Sequence, residues 1–412
     1  MKEKREMIRF DPRPIVVRDK QDEQGRTCVG ESYPLRVAYD AQELLSWAGK
    51  RHKGVDLSNL LRPYSDSFVG FATPGRSHDT RYLIIQEGLS RHSPWQQISL
   101  PYLLHKWRAD FFVAPNNTAP FFIPKRTKLI LLLYDLILLE RVFDAPNPRQ
   151  RILNEYRRLL VRRAVSRAHI VLTVSSYSRQ QIKNRFPLAP VQVIPCSISP
   201  SWFVESDARK IEERENFILV VTNDTPHKNT NGALEGYARF VAQLDRFSAP
   251  RLRLVGLSGS AGKFRGLADT LHIGDLIYIE PYLTESQLQD LYRKSRAVLF
   301  PSFREGFGLP VLEAMASGTP VIASNATSLP EVGGPAAAYF DPSDVADMAA
   351  VLSRVLGSPT KQQEMIELGL CQARRFHPDI VGRQVLTFWD SLVHTSSVGT
   401  TDMANTFQEE GP

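Results

Sequence analysis

The stretch Glu305-Gly306-Phe307-Gly308-Leu309-Pro310-Val311-Leu312-Glu313 decides the fold of this chain. A short apolar run at 296–300 comes just before it and is typical of a buried strand. Pro310 suits the first turn of a helix, because its fixed φ fits and its missing N–H is not needed there. Gly318 and Pro320 are typical of the end of that helix. The stretch therefore predicts a strand, a glycine turn and a helix.

The glycine turn has the features of a ligand site. Backbone N–H groups at the start of a helix bind anions, and Glu305 and Glu313 bracket this start with two carboxylates. Each glutamate also has a simpler interpretation. Glu313 can favour the helix dipole by about 0.3–1 kcal/mol, and Glu305 can be an exposed loop charge. Two glycines between them favour a ligand, since an empty loop has little need of such permissive positions. A nucleotide-sugar, with phosphates and hydroxyls, fits this pattern.

Length and composition limit the class of protein. A chain of 412 residues predicts two domains. Its three cysteines are odd in number and far apart, which argues against a disulfide framework or a thiolate metal site, and its nine histidines lack metal-ligand spacing. The N-terminus has no apolar signal segment, and the longest apolar run, 129–139, is too short to span a bilayer. We expect a cytoplasmic protein without metal or cofactor, and peripheral membrane association remains an open alternative.

The net charge of +7 is unevenly distributed. Residues 1–200 hold 32 Lys and Arg against 18 Asp and Glu, a balance of +14, whereas residues 201–412 hold 19 against 26, a balance of −7. An anionic membrane surface or a pyrophosphate-bearing acceptor would suit the basic half. Nucleic acid is disfavoured as a partner, because no aromatic-rich basic stripe or known motif is present. The densest basic cluster comprises Arg157, Arg158, Arg162, Arg163 and Arg167, for which a solvated helix face and a docking surface are equally good interpretations.

Short apolar runs alternate with helical patterns in both halves of the chain. Strands are predicted in the first half at 35–40, 111–115, 129–134 and 170–174, and in the second half at 217–221, 252–255, 276–279, 297–300, 321–323 and 338–340. Helices are predicted at 57–61, 149–168, 176–186, 230–245, 284–295, 309–317, 343–356, 361–375 and 379–394. Such alternation predicts parallel sheets covered on both faces. The predicted parts are a loose arm (1–33), two doubly wound domains (34–203 and 204–378), a C-terminal helix (379–395) and a disordered tail (396–412). For the C-terminal helix, packing back against the first domain is an open alternative. Ligands of such sheets bind at the carboxyl ends of strands, so we expect the site in the cleft between the domains.

A second candidate site element follows the first strand of the second half. It reads Thr222-Asn223-Asp224-Thr225-Pro226-His227-Lys228-Asn229. Lys228 is a mobile point charge suited to a diphosphate. On its own this signal is weak, because a surface lysine after a turn is usually only solvated.

These residues together resemble a known family. The run from Phe300 to Val321 closely resembles the E-x7-E signature of the retaining glycosyltransferases of family 4, which have the GT-B fold: two Rossmann-like domains facing across a cleft. Three further stretches resemble that family, namely 283–292 before the signature, 324–332 after it, and the donor-phosphate loop at 226–229. Residues 173–178 resemble the end of its first domain. The resemblance covers about residues 35–394.

The resemblance implies a role for each matched residue. Glu305 would bind hydroxyls of the donor sugar, Glu313 the ribose, and Lys228 would neutralise the leaving diphosphate. The remaining implied donor-binding residues are Gly306, Phe307, Gly308, Leu309, Asn223 and Tyr134, with Gly54 in a glycine loop of the first domain. Transfer would proceed with retention, by front-face attack in which the donor phosphate takes the acceptor proton. No Asp-x-Asp pair for a divalent metal is present, which suits metal-independent transfer.

The chain departs from the family pattern at several positions. Tyr134-Asp135-Leu136 stands where the family commonly has His-Asp-Leu, and Thr222-Asn223 replaces a Gly-Arg or Gly-Asn pair. Pro195-Cys196-Ser197 replaces Pro-Asn-Gly, and the glycine loop is reduced to the surroundings of Gly54. An altered donor or acceptor is the favoured explanation of these departures.

The leading functional prediction is transfer of a hexose to a lipid-linked or polysaccharide acceptor. The Pro-His-Lys-Asn form of the phosphate loop weakly favours mannose. Two alternatives are a GT-B nucleotide-sugar isomerase and a catalytically silent nucleotide-sugar-binding partner of another transferase. The nucleobase of the donor and the linkage formed stay open.

Overall fold

The computed structural model describes residues 36–41, 68–73, 84–115, 117–140, 148–204, 211–257 and 259–397. Several predicted features lie outside these residues: the arm at 1–33, the Gly54 loop, the helix at 57–61 and all but the first two residues of the tail at 396–412. Within the described residues the chain forms two parallel sheets.

The first sheet has seven described strands in the order β3-β2-β1-β4-β5-β6-β7. They are β1 (Val37–Asp40), β2 (Phe68–Ala72), β3 (Ile84–Gln86), β4 (Phe111–Ala114), β5 (Lys128–Leu132), β6 (Ala168–Thr173) and β7 (Val191–Val193). The helices of this part are α1 (Leu100–Lys106), which a π turn at Trp95–Ser99 precedes, α2 (Pro148–Arg167) and α3 (Ser176–Arg185). Strands β2, β3 and β7 and helix α1 lie where the sequence pattern predicts no element.

The second sheet has six described strands in the order β10-β9-β8-β11-β12-β13. They are β8 (Glu215–Val221), β9 (Arg251–Val255), β10 (Ile277–Ile279), β11 (Ser295–Phe300), β12 (Val321–Ser324) and β13 (Ala337–Phe340). The helices are α4 (Thr230–Val241), α5 (Ala261–Thr270), α6 (Glu285–Lys294), α7 (Leu309–Ala316), α8 (Leu329–Gly333), α9 (Val345–Leu356), α10 (Pro359–Arg374) and α11 (Pro378–Ser397). The strand order reverses between β8 and β11, which is the doubly wound arrangement.

Strand β8 shows why the strands of the second sheet have continuous apolar sequences. Ile218 and Val220 belong to the core on one face of the sheet, together with Leu234 of α4. Phe217 and Leu219 belong to the core on the opposite face. Because both faces are covered, consecutive residues are all buried and the alternation typical of a half-exposed strand disappears. Each such side chain stabilises the fold by roughly 1.5–3 kcal/mol. The predicted α/β class with two doubly wound sheets is confirmed.

The described chain divides into two compact units. One unit contains the described residues up to Leu132, Arg167–Ile170 and those from Gly382 onward. The other, which we call the larger unit, contains Leu133–Ser166 and Val171–Val381. All residues of the candidate site lie in the larger unit. None of the described helices is long and apolar enough to cross a bilayer.

The structure corrects one member of the predicted basic cluster. Arg158 does not lie on an exposed face: its side chain is only 3% exposed. Its Nε donates to the carbonyl of Leu138 at 2.8 Å, and its Nη1 pairs with Glu155 at 2.8 Å. Arg158 therefore anchors α2 to the turn after β5. Arg157, Arg162, Arg163 and Arg167 are exposed as predicted.

Candidate active site

The candidate site lies where the order of the second sheet reverses. The carboxyl end of β8 leads into 222–229, and that of the neighbouring β11 leads into 301–308. The backbone N–H of Phe303 donates to the carbonyl of His227 at 2.8 Å and joins the two loops. Asn229, which has a left-handed φ of 54°, donates through Nδ2 to the carbonyl of Pro301 at 3.1 Å. Adjacent strand ends at a switch point are the expected ligand site of such a sheet.

Lys228 and Glu305 form an ion pair at the centre of this site. Their Nζ and Oε1 atoms are 2.6 Å apart, and the side chains are 17% and 13% exposed. The Lys228 ammonium also lies 5.3 Å from the ring centroid of Phe300, a cation–π distance. Residues 77 positions apart in sequence are therefore brought into contact by the pairing of β8 with β11. The pair holds a cation and a carboxylate where the resemblance places diphosphate and sugar.

The glycine turn is fixed by close packing and by serine hydroxyls. A Cβ atom at Gly306 would lie 2.5 Å from the carbonyl oxygen of Tyr134, so only glycine fits there. Gly308 has a φ of 119°, a conformation that L side chains rarely adopt. The carbonyl of Gly306 accepts from the hydroxyl of Ser175 at 2.7 Å, and Ser328 donates to the carbonyl of Phe307 at 2.8 Å. The turn therefore has a fixed backbone before any ligand binds.

Glu313 has a different environment from Glu305. It lies on α7, its side chain is fully buried, and its Oε2 accepts from the Tyr292 hydroxyl at 2.8 Å. The Tyr292 ring in turn packs edge-on against Trp202, with centroids 5.4 Å apart. Glu313 is therefore a buried, hydrogen-bonded acid on α7. The ribose-binding role stays a prediction.

Asn223 and Tyr134 lie beside this centre. Asn223 Oδ1 accepts from the backbone N–H of Thr225 at 2.9 Å, so Asn223 shapes the loop after β8. Tyr134 follows β5, and its carbonyl accepts from the Ser178 hydroxyl at 3.0 Å. Leu309 begins α7 and is half-buried. The structure thus brings the predicted site residues of the second sheet together with Tyr134, while Gly54 lies outside the described residues.

Sequence reasoning missed several polar residues at this site. Ser175 and Ser178 lie in the stretch 173–178, but the family resemblance implies no role for either side chain. The Glu331 carboxylate accepts from the backbone N–H groups of Ser176 and Tyr177 at 2.8 and 3.1 Å, and so caps α3. A negative charge is favourable at this end of a helix. Since this contact joins residues about 155 positions apart, no local pattern could reveal it.

A small pocket opens next to Glu305. The side chains lining it include Asp135, Glu140, Tyr177, Gln181 and Arg304. Arg304 Nε and Glu140 Oε2 form an ion pair 3.2 Å apart at its edge. Leu136 and Ile137 also line the pocket, so its walls mix apolar groups with hydrogen-bond donors and acceptors.

The titration of His227 is perturbed within the site. Burial lowers its pKa below the ordinary value of 6.5; the carboxylate of Glu305 opposes this shift and the ammonium of Lys228 adds to it. His227 is therefore neutral at pH 7, and Lys228 supplies the positive charge of this loop. Among the described residues, no group of three His, Cys, Asp or Glu side chains could hold a metal ion.

Comparison with known proteins gives close relatives in sequence and in fold. An MMP α-(1→4)-mannosyltransferase of Mycolicibacterium hassiacum is 34% identical over 48% of this chain and 48% of its own. An O-antigen chain mannosyltransferase B of Escherichia coli is 28% identical over 67% of this chain and 72% of its own. The chain thus aligns with about half the length of the first of these relatives. The solved sucrose-phosphate synthase of Thermosynechococcus elongatus shares the fold, with a TM-score of 0.69 at 17% identity over 88% of this chain and 100% of its own.

Two family models match adjoining parts of the chain. The model described as Glycosyltransferase Family 4 matches residues 67–202, and that described as Glycosyl transferases group 1 matches residues 204–369. The second match contains the whole Glu305–Glu313 segment and Lys228. The chain therefore belongs to the family 4 glycosyltransferases and has their GT-B fold.

Proposed function

We propose that this protein is a retaining hexosyltransferase that moves mannose from a nucleoside-diphosphate sugar to a lipid-linked or polysaccharide acceptor. The observation that carries the proposal is the Lys228–Glu305 pair, 2.6 Å apart, beside the fixed glycine turn. Its position at the switch point of a doubly wound sheet is where a nucleotide is expected.

The ion pair separates into two functions when the donor binds. The Lys228 ammonium leaves the Glu305 carboxylate and pairs with the donor diphosphate, because the diphosphate carries more negative charge than a carboxylate. Glu305 is then free to accept hydrogen bonds from hydroxyls of the sugar. The N-terminus of α7 is the positive end of the helix dipole, which favours negative charge and adds to the binding of the diphosphate.

The chemical step needs little from the protein beyond placement and charge. The acceptor hydroxyl oxygen bonds to the anomeric carbon on the face from which the diphosphate departs. The bond from that carbon to the phosphate oxygen breaks, and the departing phosphate takes the acceptor proton. Lys228 and the positive end of the α7 dipole stabilise the charge that develops on the leaving group, and one well-placed donor contributes about 2.7–4 kcal/mol. No metal is required in this scheme.

The choice of mannose and of the acceptor is supported by the names of the relatives. Both sequence relatives above are mannosyltransferases, and one of them acts on the O-antigen chain by its name.

A donor screen followed by product analysis tests the proposal. We expect GDP-mannose, and not UDP-glucose or dTDP-glucose, to raise the Tm, because a ligand at 100 times its Kd stabilises the folded state by about 2.7 kcal/mol. That donor should release free nucleotide slowly without acceptor, in the presence of EDTA as well as in its absence. NMR of the product should show a retained anomeric configuration. An inverted product, or activity lost in EDTA, would contradict the mechanism.

One observation favours a second candidate, the catalytically silent partner. Tyr134 stands where the family commonly has histidine, and its backbone carbonyl packs against the glycine turn. A donor that raises the Tm but is never hydrolysed, with any acceptor tried, would support this alternative.

A further inference from the structure

The segment that follows β12 contains a strained residue next to Glu305. Among the described residues, five that are not glycine have a left-handed φ, and only Thr327, at 58°, is β-branched. Asparagine and histidine adopt this conformation more readily than other residues, whereas a β-branched residue rarely does. Glycine would adopt it freely. A threonine at position 327 therefore carries a cost in stability that a glycine would avoid.

The contacts on either side of Thr327 explain how the chain is held in this conformation. The Ser324 hydroxyl donates to the carbonyl of Ser302 at 2.6 Å, and the Ser328 hydroxyl donates to the carbonyl of Phe307 at 2.8 Å. Both Ser324 and Ser328 are fully buried. They are thus fixed to two points of the loop after β11, and the three residues between them must cross the gap. Surrounding contacts of this kind keep a strained backbone in place.

The Thr327 side chain holds the backbone of Glu305. Its Oγ1 accepts from the N–H of Glu305 at 3.1 Å, and the neighbouring Ser328 hydroxyl donates to the Glu305 carbonyl at 3.1 Å. Both polar groups of the Glu305 backbone are therefore bound by consecutive hydroxyls. Branching at Cβ leaves threonine few χ1 rotamers, so the Thr327 hydroxyl has a fixed position. The placement of the Glu305 carboxylate, which pairs with Lys228, depends on this hydroxyl.

We propose that Thr327 is a positioning residue whose hydroxyl fixes Glu305 for the donor sugar, although its left-handed backbone destabilises the fold. This inference rests on the proposed function, which assigns Glu305 to the sugar. A glycine would relieve the backbone but would leave the N–H of Glu305 without this acceptor. Turnover should therefore depend on the hydroxyl of residue 327, whereas stability should depend on its backbone conformation.

Three variants of Thr327 in the full chain separate these two effects. Thr327→Val keeps the branched shape and removes the hydroxyl, and should lower the kcat of nucleotide release from GDP-mannose by about tenfold, because a displaced binding group slows turnover. Thr327→Gly should lower kcat as much, yet its Tm should exceed that of Thr327→Val by about 2–4 °C, because the left-handed backbone is no longer strained. Thr327→Ser keeps the hydroxyl and should keep most of the kcat.

His272 provides the matched control for the backbone change. It also has a left-handed φ, of 56°, but it is exposed on the turn after α5. His272→Gly should leave kcat unchanged. An equal loss of kcat in His272→Gly would overturn the proposal, since any replacement of a left-handed residue would then slow turnover.

Hydrogen exchange at the Glu305 amide gives a readout that does not need activity. Thr327→Val and Thr327→Gly should speed deuterium uptake in a peptide that covers residues 303–308, and Thr327→Ser should not, because only the first two remove the acceptor. Unchanged uptake in Thr327→Val would show that the hydroxyl does not hold Glu305 and would overturn the proposal.

Activity of the unaltered chain distinguishes failure of this inference from failure of the proposed function. An unaltered chain that releases no nucleotide from any donor contradicts the proposed function, and with it the role of Thr327 in turnover. An active chain in which Thr327→Val keeps its kcat contradicts the positioning role alone. Equal Tm values for Thr327→Val and Thr327→Gly would also overturn the inference, because the backbone at residue 327 would then carry no strain.

Discussion

Two segments of the larger unit meet at the candidate site and are built in different ways. In residues 305–313, side chains make the defining contacts: Glu305 pairs with Lys228, and Glu313 accepts from Tyr292. In residues 134–140, much of the contact is made by backbone, because the Tyr134 carbonyl packs against Gly306 and accepts from Ser178. Side-chain chemistry restricts residue type, whereas a backbone carbonyl does not. The difference explains why the first segment carries a recognisable motif and the second departs from it.

The largest effect should come from breaking the side-chain contact of the first segment. Lys228→Ala removes the cation that we assign to the leaving diphosphate, and Glu305→Gln removes the carboxylate that we propose as a ligand of the sugar. Each should lower kcat by about 10²–10³-fold, the usual effect of losing one well-placed charge-stabilising group. Turnover of the donor identified by the screen is the measurement.

A neighbouring lysine provides the control for this prediction. Lys263 pairs with Asp224 at 2.6 Å in the same region, but both side chains are about half exposed. Lys263→Ala should leave kcat within about twofold, since exposed pairs contribute little. Normal turnover in both Lys228→Ala and Glu305→Gln would show that the pair is not the catalytic centre.

The second largest effect should come from the point where the two segments touch. Gly306→Ala would place a methyl group 2.5 Å from the Tyr134 carbonyl oxygen, and backbone cannot move aside cheaply. We expect a loss of about 1–3 kcal/mol in the free energy of unfolding, together with loss of the Tm shift by donor. Chemical denaturation with and without donor measures both.

A glycine in an open place is the matched control. A Cβ atom at Gly266 on α5 meets no atom within 4 Å. Gly266→Ala should therefore stabilise the protein by about 0.4–1 kcal/mol through the unfolded chain. If both variants have the same stability, the contact between the segments is looser than described.

A smaller effect should come from the side chain of the second segment. If Tyr134 contributes its hydroxyl to the donor, Tyr134→Phe removes one neutral hydrogen bond of about 0.5–1.5 kcal/mol. That corresponds to about two- to tenfold in kcat/KM for the donor. Tyr278→Phe on β10, where the ring is half exposed, should change nothing. An unchanged kcat/KM in Tyr134→Phe would mean that this segment acts through its backbone alone.

Much of the fold could be predicted because burial on both faces gives unbroken apolar runs. The strands of the second sheet follow this rule, as β8 shows. Helix α5 was missed because Gly262 and Gly266 interrupt its pattern and lower its helix propensity. Strands β3 and β7 were missed because each has only three residues, all half-buried.

The site could be predicted as a set of residues but not as a set of contacts. The E-x7-E segment identifies Glu305 and the loop at 226–229 identifies Lys228. Only the adjacency of β8 and β11 shows that the two form a pair. Arg158 was wrongly placed on an exposed face, since its partner is the Leu138 carbonyl, and a backbone acceptor leaves no mark in the sequence. The same holds for Ser175 and the Gly306 carbonyl.

The smallest effect concerns the pH dependence of stability at the first segment. Burial lowers the pKa of His227 in the folded protein below its ordinary value of 6.5. The unfolded chain therefore takes up a proton at a higher pH than the folded one, so the stability contribution present above pH 6.5 is lost as the pH falls toward the folded pKa. His227→Gln should flatten the fall in unfolding free energy below pH 6.5, measured by urea titration at several pH values. Since the ammonium of Lys228 adds to the lowering, Lys228→Ala in a chain that keeps His227 should make this fall smaller. If the unfolding free energy falls equally with and without His227, the imidazole is exposed to water, and the loop that carries Lys228 is more open than described.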